Sequence, residues 1–358
     1  MKLFIPFFIF SLVFPYVGLW SVVGVGTQPI FIICILVFLV LNRIPVAIFI
    51  FLISIFFWFV EQLFSLAVHG AFKIVRLDLI IIMIASFSYT EVVKSIAPAI
   101  EGKILVKTSF FLICSSFFLM LFLFFSFPGI ASDLNFTLSG HPQFFGNLGV
   151  SYYSPEPGLS AFGVVALYIV YDRVFAKSSI SFELFVFLFV ILLLISTLSL
   201  TGILLILISA YIFYVRINSK THLLLFLVTC FIPIIIFGDV DFFVHPLERI
   251  NALLNISDNL DSSPAIRINN MISLFSDFLS LYENRGEHGS HPVGFVSYFT
   301  ILPFTTMVFL IFHLSRLQFF ARLVFIFSCV MLPLTSPFIF SIYLFQRKIK
   351  ENLQKSAL

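Results

Sequence analysis

Long apolar runs separated by short polar joints dominate the chain. They cover 4–23, 29–41, 44–60, 77–93, 104–127, 158–172, 182–197, 200–215, 222–238 and 293–312. A helix needs about 20 apolar residues to cross the hydrocarbon core of a bilayer, so the pattern predicts a transmembrane helix at each run. Residues 317–345 form one more apolar stretch, broken by Pro333 and Pro337. It is either one interrupted span or two short ones. The predicted fold class is an all-α polytopic membrane protein with about 11–12 transmembrane helices. The run from Met1 to Val23 is too long for a signal-peptide core, and no small-residue cleavage site leads into a soluble domain. It is read as the first span.

Two segments leave this rhythm, 128–157 and 239–292. In the second, Ser263 can cap a helix and Pro264 suits its first turn. Met271, Leu274, Phe275, Phe278 and Leu279 then recur at helical spacing. The long loop is therefore expected to carry an amphipathic helix.

Composition agrees with the pattern. The chain is 61% hydrophobic and 10% charged, with a mean hydropathy of +1.14, whereas a soluble domain is about 25% charged. Cys34, Cys114, Cys230 and Cys329 all lie inside apolar runs, spaced neither as disulfides nor as metal ligands. The net charge of +3 points to no nucleic-acid partner.

The placement of the basic residues is more informative. With the N-terminus in the cytoplasm, alternation puts 15 of the 20 Lys and Arg residues inside, including Arg347, Lys348, Lys350 and Lys355 if 317–345 is a hairpin. Lys73, Arg76, Arg249, Arg267 and Arg285 lie outside. This is a positive-inside bias. It divides the chain into transmembrane residues 1–238 with the outer loop 128–157, a periplasmic loop 239–292, C-terminal spans 293–346 and a basic cytoplasmic tail 347–358. Both long loops then fall on the outer face, and 61–76 is a shorter outer segment.

The polar groups of these loops are the candidates for chemistry. Glu156 stands between Pro155 and Pro157 at the start of an apolar helix. It is either a catalytic carboxylate or a helix-end charge held by the dipole. Tyr152 and Tyr153 are either interfacial aromatics or a platform for stacking a sugar. The long loop holds Arg249, Arg267 and Arg285 against eight carboxylates, a formal net of −5. Its average field would repel an anion, so phosphate binding there requires individual arginines in bidentate geometry. Arg267 shares the apolar stripe of the predicted helix and is aimed inward. It is either a phosphate partner or half of a salt bridge with Asp261. His291, at the end of the loop, can act as a base or donate to phosphate near neutral pH, or it is a solvated loop histidine. Gly289 and Pro292 argue against a helix there, and so against a zinc site built from His288 and His291.

Three segments carry a family resemblance: Tyr-Ser-Pro-Glu-Pro-Gly-Leu-Ser-Ala at 153–161, Asp-Ser-Ser-Pro-Ala-Ile-Arg at 261–267, and Gly-Ser-His-Pro-Val-Gly-Phe at 289–295. In this order and on one face they resemble motifs of the Wzy-type O-antigen and capsular polysaccharide polymerases, within the O-antigen polymerase/ligase superfamily. Ser196 to Gly202 is similar to a serine-rich turn of that family, which often contains an arginine missing here. Gly158 stands where serine is common, and Pro292 where asparagine is.

The resemblance implies a GT-C-like transferase with a long helical periplasmic loop. It would polymerise undecaprenyl-diphosphate-linked repeat units at the periplasmic face of the bacterial inner membrane, without metal or other cofactor. The expected partners are the lipid-linked glycans, the bilayer and a chain-length regulator protein. Arg267, with Arg249 as a secondary partner, would neutralise the departing diphosphate. His291 or Glu156 would take the acceptor proton, and Tyr152 and Tyr153 would contact sugar. The ligase branch of the superfamily and a non-enzymatic flippase or transporter are the rival readings. A transporter is expected to place charges or unwound segments within its spans, whereas this sequence gathers them in the loops.

Overall fold

The computed structural model describes residues 4–14, 29–41, 46–72, 77–139, 149–154, 157–176, 178–217, 298–299, 301–332 and 334–356. Among them the structure is helical, with no strand. The helices are α1 (Phe4–Val13), α2 (Pro29–Leu41), α3 (Val46–His69), α4 (Leu77–Ala85), α5 (Tyr89–Ile100), α6 (Ile104–Ser126), α7 (Pro128–Ser139), α8 (Pro157–Val174), α9 (Ile180–Ser196), α10 (Leu200–Ile217), α11 (Pro303–Arg316), α12 (Phe319–Met331) and α13 (Phe338–Ser356). A 3-10 turn, Ser86–Ser88, joins α4 to α5. Among the described residues, three stretches are long and apolar enough to cross a membrane: Ala47–His69, Leu77–Ile100 and Ile104–Ser126. Their outer sides are hydrocarbon. Ile48 is 72% exposed and Leu112 68%, exposure that water would penalise and lipid would not.

The chain forms two compact units, one of Met1–Val23, Ala97–Ser262 and Lys348–Leu358, the other of Gly24–Ile96 and Ser263–Arg347. The first unit is built around α8. Every residue from Leu159 to Val174 is buried, as expected of a helix enclosed on all sides. Packed against it are α1, α6, α9 and α10. Gly163 lets α1 come close, because a Cβ there would lie 2.5 Å from the Val13 carbonyl oxygen.

One end of α8 is closed by ions. Arg216, at the end of α10, donates from Nη1 to Asp172 Oδ1 at 2.9 Å and from Nη2 to Glu183 Oε1 at 2.8 Å. Its Nε donates to Glu183 Oε2. The remaining N–H groups reach the carbonyls of Asp172, Phe175 and Ala176. Those carbonyls sit at the C-terminus of α8, where a helix leaves its acceptors unpaired. Arg216 thus caps α8 while pairing with Glu183 in the first turn of α9. Beside it, Arg173 bridges Glu101 and Glu351. This ties the last turns of α13 to the same end.

In the second unit α3 packs against α4 and α11. Expected to end at residue 60, the third span instead continues to His69. The reason is Glu61. This carboxylate is fully buried, and its Oε1 accepts from the backbone N–H and the hydroxyl of Thr305, at 2.8 and 3.0 Å. Thr305 lies in the first turn of α11, where N–H groups are unpaired and the dipole favours an anion. A carboxylate that reads as a water exit in sequence is held inside the protein by Thr305.

The expected span at 293–312 is also altered. Within its described part the backbone breaks at Leu302, and α11 starts afresh at Pro303 and runs to Arg316. Residues 317–345 resolve into two helices, α12 and α13. The latter continues through the basic tail to Ser356. Nearby, His313 bonds Tyr343 through Nδ1 at 2.6 Å and Ser86 through Nε2 at 2.9 Å. Because the Ser86 hydroxyl also donates to the Met83 carbonyl, it has no proton left for His313. The proton on the imidazole therefore sits on Nε2.

Replacing Arg216 with alanine strands two buried carboxylates and three carbonyls. It should cost about 3–5 kcal/mol, seen as a large fall in the thermal midpoint of the detergent-solubilised protein. Arg216→Lys should recover only part of the loss, since an ammonium cannot supply five donors in a fork.

Candidate functional site

The described part of the candidate site is a frame at the other end of α8, about 26 Å from the Arg216 cluster by helical rise. Residues 149–154 and 196–202 build it. Val150 N–H donates to the Ser196 carbonyl at 2.9 Å. Gly149 holds φ +74°, and a Cβ on it would stand 2.1 Å from the Thr197 carbonyl oxygen. Only glycine permits that approach. Gly202 is equally confined, with 2.3 Å to Thr197 Oγ1 and 2.7 Å to the Leu194 carbonyl oxygen.

Hydroxyls are chained through the frame. The Ser196 hydroxyl donates to Leu193 O, so it accepts from the Tyr152 hydroxyl. Thr197 Oγ1 donates to Leu194 O at 2.7 Å and accepts from Ser199 Oγ at 3.0 Å. Ser199 Oγ in turn accepts the Gly202 N–H at 2.9 Å. The end of α9 is thereby coupled to the start of α10.

Three non-glycine residues here lie in the left-handed region: Tyr152 at φ 38°, Tyr153 at 62° and Leu198 at 46°. Each such residue costs about 1–3 kcal/mol and persists only where its surroundings enforce it. The enforcement is visible. Tyr152 and Tyr153 are 2% and 5% exposed. Phe117 packs on Tyr152, and Phe14 meets Tyr153 edge-on. The Tyr153 hydroxyl donates to the Ser116 carbonyl at 2.9 Å. Both rings are interior packing in this conformation and present no open face for stacking.

The residues that precede 155 and follow 156 in the chain are both held in the frame. On one side, Ser154 N–H donates to Ser151 O at 2.9 Å, and Asn135 of α7 donates to Ser154 O at 3.3 Å. On the other, Ser160 Oγ donates to Pro157 O at 2.7 Å, and Gly158 sits against Thr201 and Ser199. The sequence comparison that singled out 153–161 and 196–202 therefore selected two segments that touch. Missing from it were Gly149 and Tyr152, and the left-handed backbone at Tyr153 and Leu198, which it did include, leaves no mark in the sequence. Glu156, Arg249, Arg267 and His291 lie outside the described residues.

Residues 149–154 and 196–202 meet at one end of α8. Glu101, Asp172, Arg173, Glu183, Arg216 and Glu351 meet at the other.

Among known proteins, no family model matches the chain, and neither a curated protein nor a solved structure matches it.

Adding a methyl group at Gly149 or Gly202 should wedge the two segments apart. Gly149→Ala and Gly202→Ala are each expected to cost about 1–3 kcal/mol by overpacking. Gly129→Ala, which meets nothing within 4 Å, should leave the thermal midpoint unchanged.

Proposed function

We propose that the chain is a membrane glycosyltransferase, an oligosaccharide repeat-unit polymerase acting on undecaprenyl-diphosphate-linked donors at the outer face of a bacterial inner membrane. The observation that carries this reading is the strained, hydroxyl-chained frame on both sides of Glu156. Strain of this kind gathers at functional sites because the surrounding fold must hold a group in place. The segments meeting in the frame are two of those whose sequences resemble the polymerase motifs. In this reading Glu156 and His291 serve the acceptor hydroxyl, and Arg267 with Arg249 meets the departing diphosphate. The lipid diphosphate is its own leaving group, so the chemistry needs charge neutralisation and one proton acceptor.

Deleting the gene should abolish the surface-polysaccharide ladder while a single repeat unit remains on the lipid core. Loss of that unit as well would instead indicate ligase or flippase activity. Arg267→Ala should stop chain growth with the protein still present in the membrane. Long chains from that variant would sink the diphosphate assignment.

A second reading, a lipid-linked oligosaccharide transporter, gains support from one feature. A fully buried carboxylate, Glu61, lies within a spanning helix against the N-terminus of a discontinuous one. Ionisable groups and broken helices in such positions are frequent in transporters. Glu61→Gln separates the readings because the amide oxygen still accepts from Thr305 N–H. If Glu61 only caps α11, the variant makes a normal ladder. If its charge or proton is used in transport, repeat units no longer reach the surface.

A further inference from the structure

The first unit carries a crevice of about 650 Å³ walled by α6, α8 and α9, within the range of a ligand pocket. Phe110, Phe118, Phe122, Phe182, Phe185 and Val190 line it, together with Cys114 and Ser115. Its rims are exposed hydrocarbon, with Phe118 at 59% and Phe185 at 66%.

Two features define an occupant. One is length. The wall of α6 runs from Phe110 to Phe122, about 18 Å along the axis. One leaflet of bilayer hydrocarbon is about 15 Å deep, half of the core. The other is charge at one end. Phe175 closes that end against Phe110 and Phe111, with ring centroids 5.2 and 5.7 Å away. Lys107 Nζ stands 5.7 Å from the centroid of Phe175. Two cations of the same unit are neutralised: Arg173 by Glu101 and Glu351, Arg216 by Asp172 and Glu183. Lys107 makes no ion pair among the described residues.

We propose that this crevice seats an anionic phospholipid, its acyl chain between α6 and α9 and its phosphate against Lys107. The site lies at the Arg216 end of α8, away from the frame of residues 149–154 and 196–202. It is thus independent of the glycosyltransferase reading. The apolar wall accepts any chain of leaflet length, and the Lys107 ammonium selects for headgroup charge.

Native mass spectrometry of the purified full-length protein tests this directly, with phosphatidylglycerol and phosphatidylcholine of identical chains in equal amounts. Wild type should retain phosphatidylglycerol about fivefold in excess, the preference one basic residue gives near an anionic surface. Lys107→Gln should remove the excess, while Lys103→Gln, at an exposed position before α6, should keep it. Ser115→Phe, at an exposed position on the crevice wall, should lower retention of both lipids with an unchanged elution profile. Equal retention by wild type, or an excess that survives Lys107→Gln, overturns the proposal. Equal loss in the Lys103 and Lys107 variants would reduce it to diffuse surface charge and overturn it too. Inorganic phosphate in millimolar excess should displace nothing. Displacement would make the site one for a free anion and also overturn the lipid assignment.

Discussion

Arg216 is where the requirements of an apolar protein meet in one side chain. A helix ending among hydrocarbon leaves carbonyls that water does not reach, and each is costly if unpaired. The guanidinium covers three of these at the end of α8 and pairs with two carboxylates on neighbouring elements. Its planar fork makes this possible, because it offers five donors in fixed directions. The ends of α8, α9 and α10 are thereby held together, and α8 is positioned to present its opposite end in the frame around residues 149–154. Removing the partners jointly for apolar residues would be a different matter from breaking the cluster. Buried ion pairs are weak stabilisers but severe liabilities when one member is lost.

The same rule operates in the second unit with the sign reversed. The restart of α11 at Pro303 exposes N–H groups, and Glu61 from α3 accepts one of them. A helix can break within an apolar layer when another element supplies the missing partner. His313 is handled in the same way, with a hydroxyl on each ring nitrogen. Arg216, Glu61 and His313 thus each sit where the backbone or another side chain needs them.

The frame beside Glu156 differs in kind. Its strain is local, borne by Tyr152, Tyr153 and Leu198, and is offset by aromatic packing and chained hydroxyls. Nothing about helix closure requires consecutive left-handed tyrosines. That unexplained rigidity is why the frame, and not the more polar Arg216 cluster, is taken as the seat of function.

Much of the architecture was legible from hydrophobic pattern alone, because burial in lipid demands long apolar runs whatever the neighbours. The runs at 104–127, 158–172, 182–197 and 200–215 became α6, α8, α9 and α10 with ends shifted by three residues or fewer. The pattern failed where a polar residue is satisfied by a distant one. Glu61 looked like the end of a span because its partner, Thr305, is 244 positions away. Pro128 and Gly129 looked like loop yet open α7, since proline suits a first helical turn. The contact between 149–154 and 196–202, and the burial of Tyr152 and Tyr153 against Phe117 and Phe14, are likewise consequences of packing. Sequence by itself determined which segments are apolar enough to span and which residue types could do chemistry. Tertiary structure alone decided which polar groups are neutralised, because pairing depends on which helix ends meet in space.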